Sequence, residues 1–282
     1  MTDAQPGTAT PWRRDATQLE LDLTRWARSV HGSDARVTDV RLPASGMAND
    51  TVMFSLDGDA LAARLAPAPG SPYPTFPTYD LDFQERVMHL VRSRTTVPVP
   101  EVVHLERSDA WLGAPFLVTR AIEGVVASDN PPYLLDPTGW FLQGTPEQWR
   151  RFETSTIGLL VQLHRVVVGA LDWEMAGIGP PEVDLAWVTF FQRMWASMGE
   201  QFGLPAPALF DRATTVATYE RLSGDTLDDL AWYEALGGLR LGIILARMTL
   251  RSAAFGLQAL PDDPDGLVMF KPLLVRLLED VC

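Results

Sequence analysis

The carboxylate best placed for chemistry sits in residues 171–187, LDWEMAGIGPPEVDLAW. An apolar run from Val166 to Leu171 ends in Asp172, and Gly177, Gly179 and the pair Pro180-Pro181 follow before an amphipathic start at Val183. That order reads as a short buried strand, a carboxylate at its mouth, a turn and a helix. A carboxylate so placed can hold a hard cation such as Mg²⁺, which takes oxygen ligands and shares them with substrate phosphates. An Asp capping a turn gives the same pattern. A second candidate is the stretch of small residues from Pro43 to Asp50, with Ser45 and Gly46 at its centre. A bend of that kind between two strands can lie over phosphates and offer backbone N–H groups, although most Ser-Gly turns are only turns.

Composition bounds what such groups could serve. A chain of 282 residues with 46% hydrophobic content can bury a sizeable core as one large domain or a two-lobed unit. The net charge of −13 argues against non-specific binding to nucleic acid or to an anionic membrane. Apolar runs stop well short of a membrane span, and the N-terminal residues are too polar for a secretory signal. The single cysteine, Cys282, excludes an internal disulfide framework and suits a cytoplasmic location.

The elements that must position the candidates follow in order. Residues 1–15 read as disordered. Leu19, Leu23, Trp26, Ala27 and Val30 have helical spacing over Ala16–Val30. A weak strand over Arg36–Leu42 precedes the Ser45-Gly46 bend. Thr51–Leu56 and Ala60–Leu65 then form a hairpin around Asp57-Gly58-Asp59. A proline-rich stretch from Ala66 to Tyr79 is extended. Leu81–Val91 is a helix with Gln84, Val87, Met88 and Val91 on one face. Val97-Pro98-Val99-Pro100 opens a strand through His104, and Gly113–Thr119 is another. Thr145-Pro146-Glu147-Gln148 is a capped helix start, and that helix runs to about Arg165, with His164 a packed, hydrogen-bonded histidine. Further helices cover Leu185–Gln201, Leu209–Leu222, Leu227–Leu257 (with a break or kink at Gly237-Gly238) and Leu267–Asp280. Arg240, Arg247 and Arg251 share a helix face and read as a solvated stripe.

The 171–187 stretch resembles the metal-binding segment of the aminoglycoside phosphotransferase and choline kinase family. The resemblance rests on Asp172-Trp173-Glu174, Gly179, Pro180 and Asp184-Leu185-Ala186-Trp187. The Val-Pro-Val-Pro segment and the Leu163-His164 pair add to it. It implies an α+β, protein-kinase-like fold: a small antiparallel N-lobe over residues 16–124 and a mainly helical C-lobe over 125–282. By the same resemblance Asp172 binds Mg²⁺, Arg64 on the third strand touches the nucleotide phosphates, and Ser45 and Gly46 lie over them. Gln84 stands where the family has a Glu partner for the strand cation; a Gln can hydrogen-bond an Arg but cannot form an ion pair with it. Backbone groups of Thr119, Ala121 and Ile122 meet the adenine edge of ATP or GTP. The implied reaction is phosphorylation of a hydroxyl on a small-molecule acceptor.

One part of the family pattern is missing. A His-Gly-Asp loop followed by Asn should precede the metal-binding segment; its Asp orients the attacking hydroxyl and its Asn helps hold the metal. Here the residues between His164 and Asp172 are Arg165 to Leu171, with no Asp, Asn or Glu among them. The stretch reads as if a block had been excised between Arg165 and Val166, leaving the C-lobe incomplete. No residue is assigned the catalytic role, and the chain is expected to be inactive as a kinase. The alternatives are a non-catalytic nucleotide-binding or interaction module, or a truncated, non-functional copy.

Overall fold

The computed structural model describes residues 14–43, 50–67, 72–76, 78–125, 133, 136, 138–166, 179–203 and 209–281. Contact density divides the chain into two units. The first comprises residues 1–81, 100–122 and 250–259, and the second 82–99, 123–249 and 260–282.

The first unit is a five-stranded antiparallel sheet under one helix. Helix α1 (Ala16–His31) starts where the Asp15 carboxylate accepts the N–H of Gln18, the usual way to satisfy a donor at a helix start. The strands are β1 (Val37–Arg41), β2 (Asp50–Leu56), β3 (Asp59–Leu65), β4 (Val102–Glu106) and β5 (Phe116–Arg120), in the order β1-β2-β3-β5-β4. The expected hairpin is present. Asp57 and Gly58 both take positive φ, 53° and 94°, the conformation that a two-residue turn between twisted strands demands.

Alternation along the strands divides the two faces of the sheet. Val52, Phe54 and Leu56 of β2, Leu61, Ala63 and Leu65 of β3, and Phe116 and Val118 of β5 form one core with Leu19, Leu23, Trp26 and Ala27 of α1. Trp26 is its centre. It is fully buried, with ring centroids 5.3 Å from both Phe116 and His104 and 5.8 Å from His31. His31 is thus the last residue of α1, its ring set edge-on to Trp26. The strand expected to open at Val97 begins only at Val102, because Pro98 and Pro100 have no N–H to give a ladder.

The second unit is helical: α2 (Leu81–Arg94), α3 (Pro146–His164), α4 (Glu182–Phe202), α5 (Arg212–Ser223), α6 (Leu230–Ala254, whose residues 250–254 count with the first unit) and α7 (Lys271–Glu279). The α3 start is a full capping box: the Thr145 side chain accepts the Gln148 N–H, and the Gln148 side chain accepts the Thr145 N–H at 2.7 Å. One core joins Phe190, Met194 and Met198 of α4 to Ala235 and Leu241 of α6 and to Phe270, Leu273, Leu274 and Leu277 around α7.

Two expectations fail here. Helix α6 runs unbroken through Gly237 and Gly238. The reason is packing: a Cβ on Gly238 would stand 3.1 Å from both Phe190 and Leu274, so the absence of a side chain lets three elements approach. Nor do the arginines make a solvated stripe. Arg251 is buried, and the Arg240 guanidinium lies 5.9 Å from the Trp187 ring centroid, a cation–π distance.

Candidate functional site

Two of the sequence-predicted site residues, Arg64 and Thr119, lie on the face of the sheet away from α1. Leu61, Ala63 and Leu65 point into the α1 core, so Ala62 and Arg64 point the other way. Register sets Arg64 opposite Leu117 of β5 and Thr51 of β2, and Ala62 opposite Thr119. Arg64 and Thr119 are therefore near neighbours on one face, on adjoining strands. A guanidinium there suits phosphate, since its fork of donors matches paired oxygens.

The segment after β5 is more committed than the sequence suggested. The Ala121 N–H donates to the Ala60 carbonyl at 2.9 Å, and the Arg120 N–H to Glu101 at 2.9 Å. A base edge meeting this segment would have to use groups other than those two donors. Ile122, beyond the strand, is well exposed. The Arg120 side chain faces Asp59 and Glu101, at 3.2 and 3.3 Å, and holds the end of β5.

Gln84 belongs to the second unit. It is buried with Val87, Met88 and Val91, as the helical spacing predicted. Both polar atoms of its side chain have no hydrogen-bond partner among the described residues, which is costly for a buried amide. Ser45, Gly46 and Asp172 lie outside the described residues. Among the described residues no group of three or more His, Cys, Asp or Glu side chains comes together to hold a metal. The described residues thus do not make a cation site by themselves.

Polar groups that flank the Asp172 span do come together. His164, at the end of α3, accepts or donates at both ring nitrogens: Nδ1 is 2.9 Å from Tyr219 Oη of α5, and Nε2 is 3.1 Å from Asp184 Oδ2 in the first turn of α4. All three residues sit in the interior, with Asp184 and Tyr219 each 1% exposed. Burial pushes the Tyr219 phenol up to about 12, helped by the negative charges of Asp225, Glu182 and Asp184 and opposed by Arg165. The phenol therefore keeps its proton. Glu182, two residues before Asp184, accepts the Asp228 N–H at 3.0 Å.

Two further buried carboxylates tie the helices together. Glu234 of α6 accepts Thr189 Oγ1 at 2.7 Å and Arg193 Nη1 at 2.8 Å, with Arg212 Nε at 3.4 Å. Glu153 of α3 accepts the N–H of Phe210 at 2.7 Å. Phe210 has φ 56°, a left-handed conformation uncommon for a bulky residue, and Glu153 holds it just before Asp211 caps α5.

Burial raises the Glu153 carboxyl above the ordinary 4.5; the Phe210 N–H pulls it down, and the Asp211 charge pushes it up. A carboxyl raised on folding contributes stability that is full below its unfolded value and is lost as pH rises through the folded value. Glu153→Gln keeps an oxygen for Phe210 and removes the charge. Its thermal midpoint should therefore gain on that of wild type as pH is raised from 4 to 7, with a net change at neutral pH within about 1 kcal/mol. Parallel melting curves across that range check this.

No family model matches the sequence. Among solved structures, a Ralstonia eutropha JMP134 protein provisionally described as an aminoglycoside phosphotransferase superposes with a TM-score of 0.52. The alignment covers 91% of this chain and 96% of that one at 17% identity. The chain has the aminoglycoside phosphotransferase fold. Other examples are more distant. The phosphotransferase APH(4)-Ia matches at a TM-score of 0.44 and 15% identity, over 93% of this chain and 99% of its own. A thermostable mutant of it in complex with AMP-PNP and hygromycin B matches at 0.43 and 14%, over 91% and 98%. In this phosphotransferase fold the sheet unit and the helical unit carry the two sets of candidate residues separately.

The sequence reading missed the partners of His164 and the burial of Glu234. A signal existed for each: Asp184 and Glu234 are carboxylates within otherwise apolar helical stretches, where a charge must find partners.

Proposed function

We propose that this chain is a nucleotide-binding protein on the phosphotransferase fold that does not itself transfer phosphate. The observation that carries the second half is the short step from the end of α3 at His164 to Asp172, whose intervening residues, Arg165 to Leu171, hold no Asp, Asn or Glu. Phosphoryl transfer depends on aligning the nucleophile and on balancing charge, and a chain without the aligning carboxylate loses most of the rate. The first half is supported by the fold and by Arg64 and Thr119 sharing one face of the sheet. In this reading Arg64 meets the phosphates of ATP or GTP, Ser45 and Gly46 lie above them, and the backbone near Ile122 meets the base. Asp172 holds Mg²⁺, which would neutralise phosphate charge when bound.

Calorimetric titration with Mg²⁺ and ATP or GTP tests it. Saturable binding without product is the expected result, and Arg64→Ala should weaken binding by about tenfold or more, the scale of one charge-assisted phosphate contact. A flat titration would count against the proposal, and turnover on any hydroxyl acceptor would replace it with the active reading. That second reading, a small-molecule kinase, is favoured by the retained Asp172-Trp173-Glu174; it requires transfer that Asp172→Ala abolishes. A third, a truncated copy without function, is favoured by Trp232, Leu239 and Ile243. They stand 50%, 44% and 54% exposed along α6, and their spacing of 7 and 4 puts them on one helix face. Strong binding of a hydrophobic dye with weak near-ultraviolet dichroism would support that one.

A further inference from the structure

Glu234 is a buried carboxylate shared by two arginines from different helices. Arg193 of α4 donates from Nη1 to Oε2 at 2.8 Å, and Arg212, the first residue of α5, sets Nε 3.4 Å from Oε1. Thr189 also donates to Oε1, so both oxygens are engaged and the carboxylate is fixed in orientation. Glu234 is out of water, but its partners are not: the Arg193 and Arg212 side chains are 34% and 47% exposed. A guanidinium carries five N–H groups and accepts nothing. Among the described residues Glu234 is the one partner of both arginines, which leaves most of their donors to solvent or to a ligand. Two positive charges against one negative give the cluster a local positive excess, in a chain whose net charge is −13.

We propose that Arg193 and Arg212, held together by Glu234, form a binding site for a small tetrahedral oxyanion, either free phosphate or the phosphate group of an ester. Two guanidiniums drawn to one carboxylate repel each other, and a further anion relieves that repulsion. Their planar forks match the paired oxygens of a phosphate. Glu234 holds the forks before a ligand arrives, so less rotamer freedom is lost on binding. Neighbouring side chains leave the positive excess in place. On α4 the residues one turn from Arg193 are Thr189, Phe190, Ala196 and Ser197, none of them charged. Asp211 adjoins Arg212, but its carboxylate is taken up by the Thr214 hydroxyl and by the N–H groups of Thr214 and Ala213. Glu153 is given to the Phe210 N–H. The proposal does not depend on the nucleotide reading, whose phosphate contact is Arg64.

Equilibrium dialysis of the full chain against labelled inorganic phosphate, at an ionic strength held constant with sodium chloride, tests it. The comparison is made in an Arg64→Ala background, so that any phosphate bound through the sheet is removed. That protein should bind phosphate saturably, and adding Arg193→Gln or Arg212→Gln should weaken binding by about tenfold or more, the scale of one charge-assisted contact. Arg212→Lys keeps the charge and loses the fork, so it should fall between Arg212 and Arg212→Gln. Circular dichroism of each variant without phosphate establishes that it is folded. If Arg193→Gln is not, the Arg212→Gln and Arg212→Lys pair decides. No saturable binding in the Arg64→Ala background overturns the site, as does equal binding with and without Arg212→Gln. Competition with glycerol phosphate then separates the two sources. Displacement at a lower concentration than unlabelled phosphate requires identifies an ester as the ligand, and weaker displacement identifies the free ion; both uphold the site. Failure of ATP and GTP to bind wild type overturns the nucleotide reading and leaves this result standing.

Discussion

Replacing Trp26 by alanine should unfold the sheet unit under conditions where wild type is stable, at a cost of about 3–5 kcal/mol. Trp26 is fully buried and sits where α1 meets β2 and β5, edge-on to Phe54, Phe116, His31 and His104. Truncation removes the largest side chain of that core and leaves a hole that Leu23, Leu65 and Phe116 cannot fill without moving. The effect belongs to volume, and a second variant shows it. Trp26 Nε1 is buried and has no hydrogen-bond partner among the described residues. Trp26→Phe also deletes that unpaired donor, so it loses packing but relieves a desolvation cost. It should cost about 1–2 kcal/mol, well under the alanine value. Denaturant melts of the three proteins check the order.

Glu234→Ala should cost about 2–3 kcal/mol in the helical unit, through a cavity and a weakened buried hydrogen bond. Glu234 has no exposure and takes hydrogen bonds from Thr189 and Arg193, with Arg212 close by. The two arginines are part-exposed and can return to water. Thr189 cannot: it is fully buried, and its remaining bond is a longer one to the Ala186 carbonyl at 3.3 Å. The loss is therefore a cavity plus a buried hydroxyl with a poorer partner. Arg212→Ala alone should cost less than about 1 kcal/mol, because its side chain is half exposed and lies 3.4 Å from the carboxylate. A double-mutant cycle between Thr189→Val and Glu234→Ala, read in denaturant, measures the coupling that the geometry implies.

Legibility from sequence followed the range of the interaction. The hairpin at Asp57-Gly58 and the capping box at Thr145 were readable because turn and cap chemistry is local: a few residues satisfy each other. The sheet face of Arg64 was readable too, since alternation within β3 settles it once Leu61, Ala63 and Leu65 are assigned to the core. The Val-Pro-Val-Pro stretch misled because its β-branched residues favour a strand while its prolines forbid the ladder. Gly237 and Gly238 misled because their effect on α6 depends on Phe190 and Leu274, residues of other helices. His164 shows the limit most clearly: its partners are 20 and 55 residues away, and only the packing of three helices brings them to one ring.

The strand order has a consequence for how the chain is made. Strand β3 is flanked by β2, its hairpin partner, and by β5, which arrives only after α2 and β4 have been added. A nascent or clipped chain ending before Phe116 therefore presents the backbone of Asp59–Leu65 as a bare edge, with Leu61, Ala63 and Leu65 lined along one side. Unpaired edges of that kind recruit other chains. Production of the sheet unit as a fragment should begin from boundaries that keep β5, and proteolytic loss of residues beyond β3 should end in aggregates rather than in a soluble smaller domain.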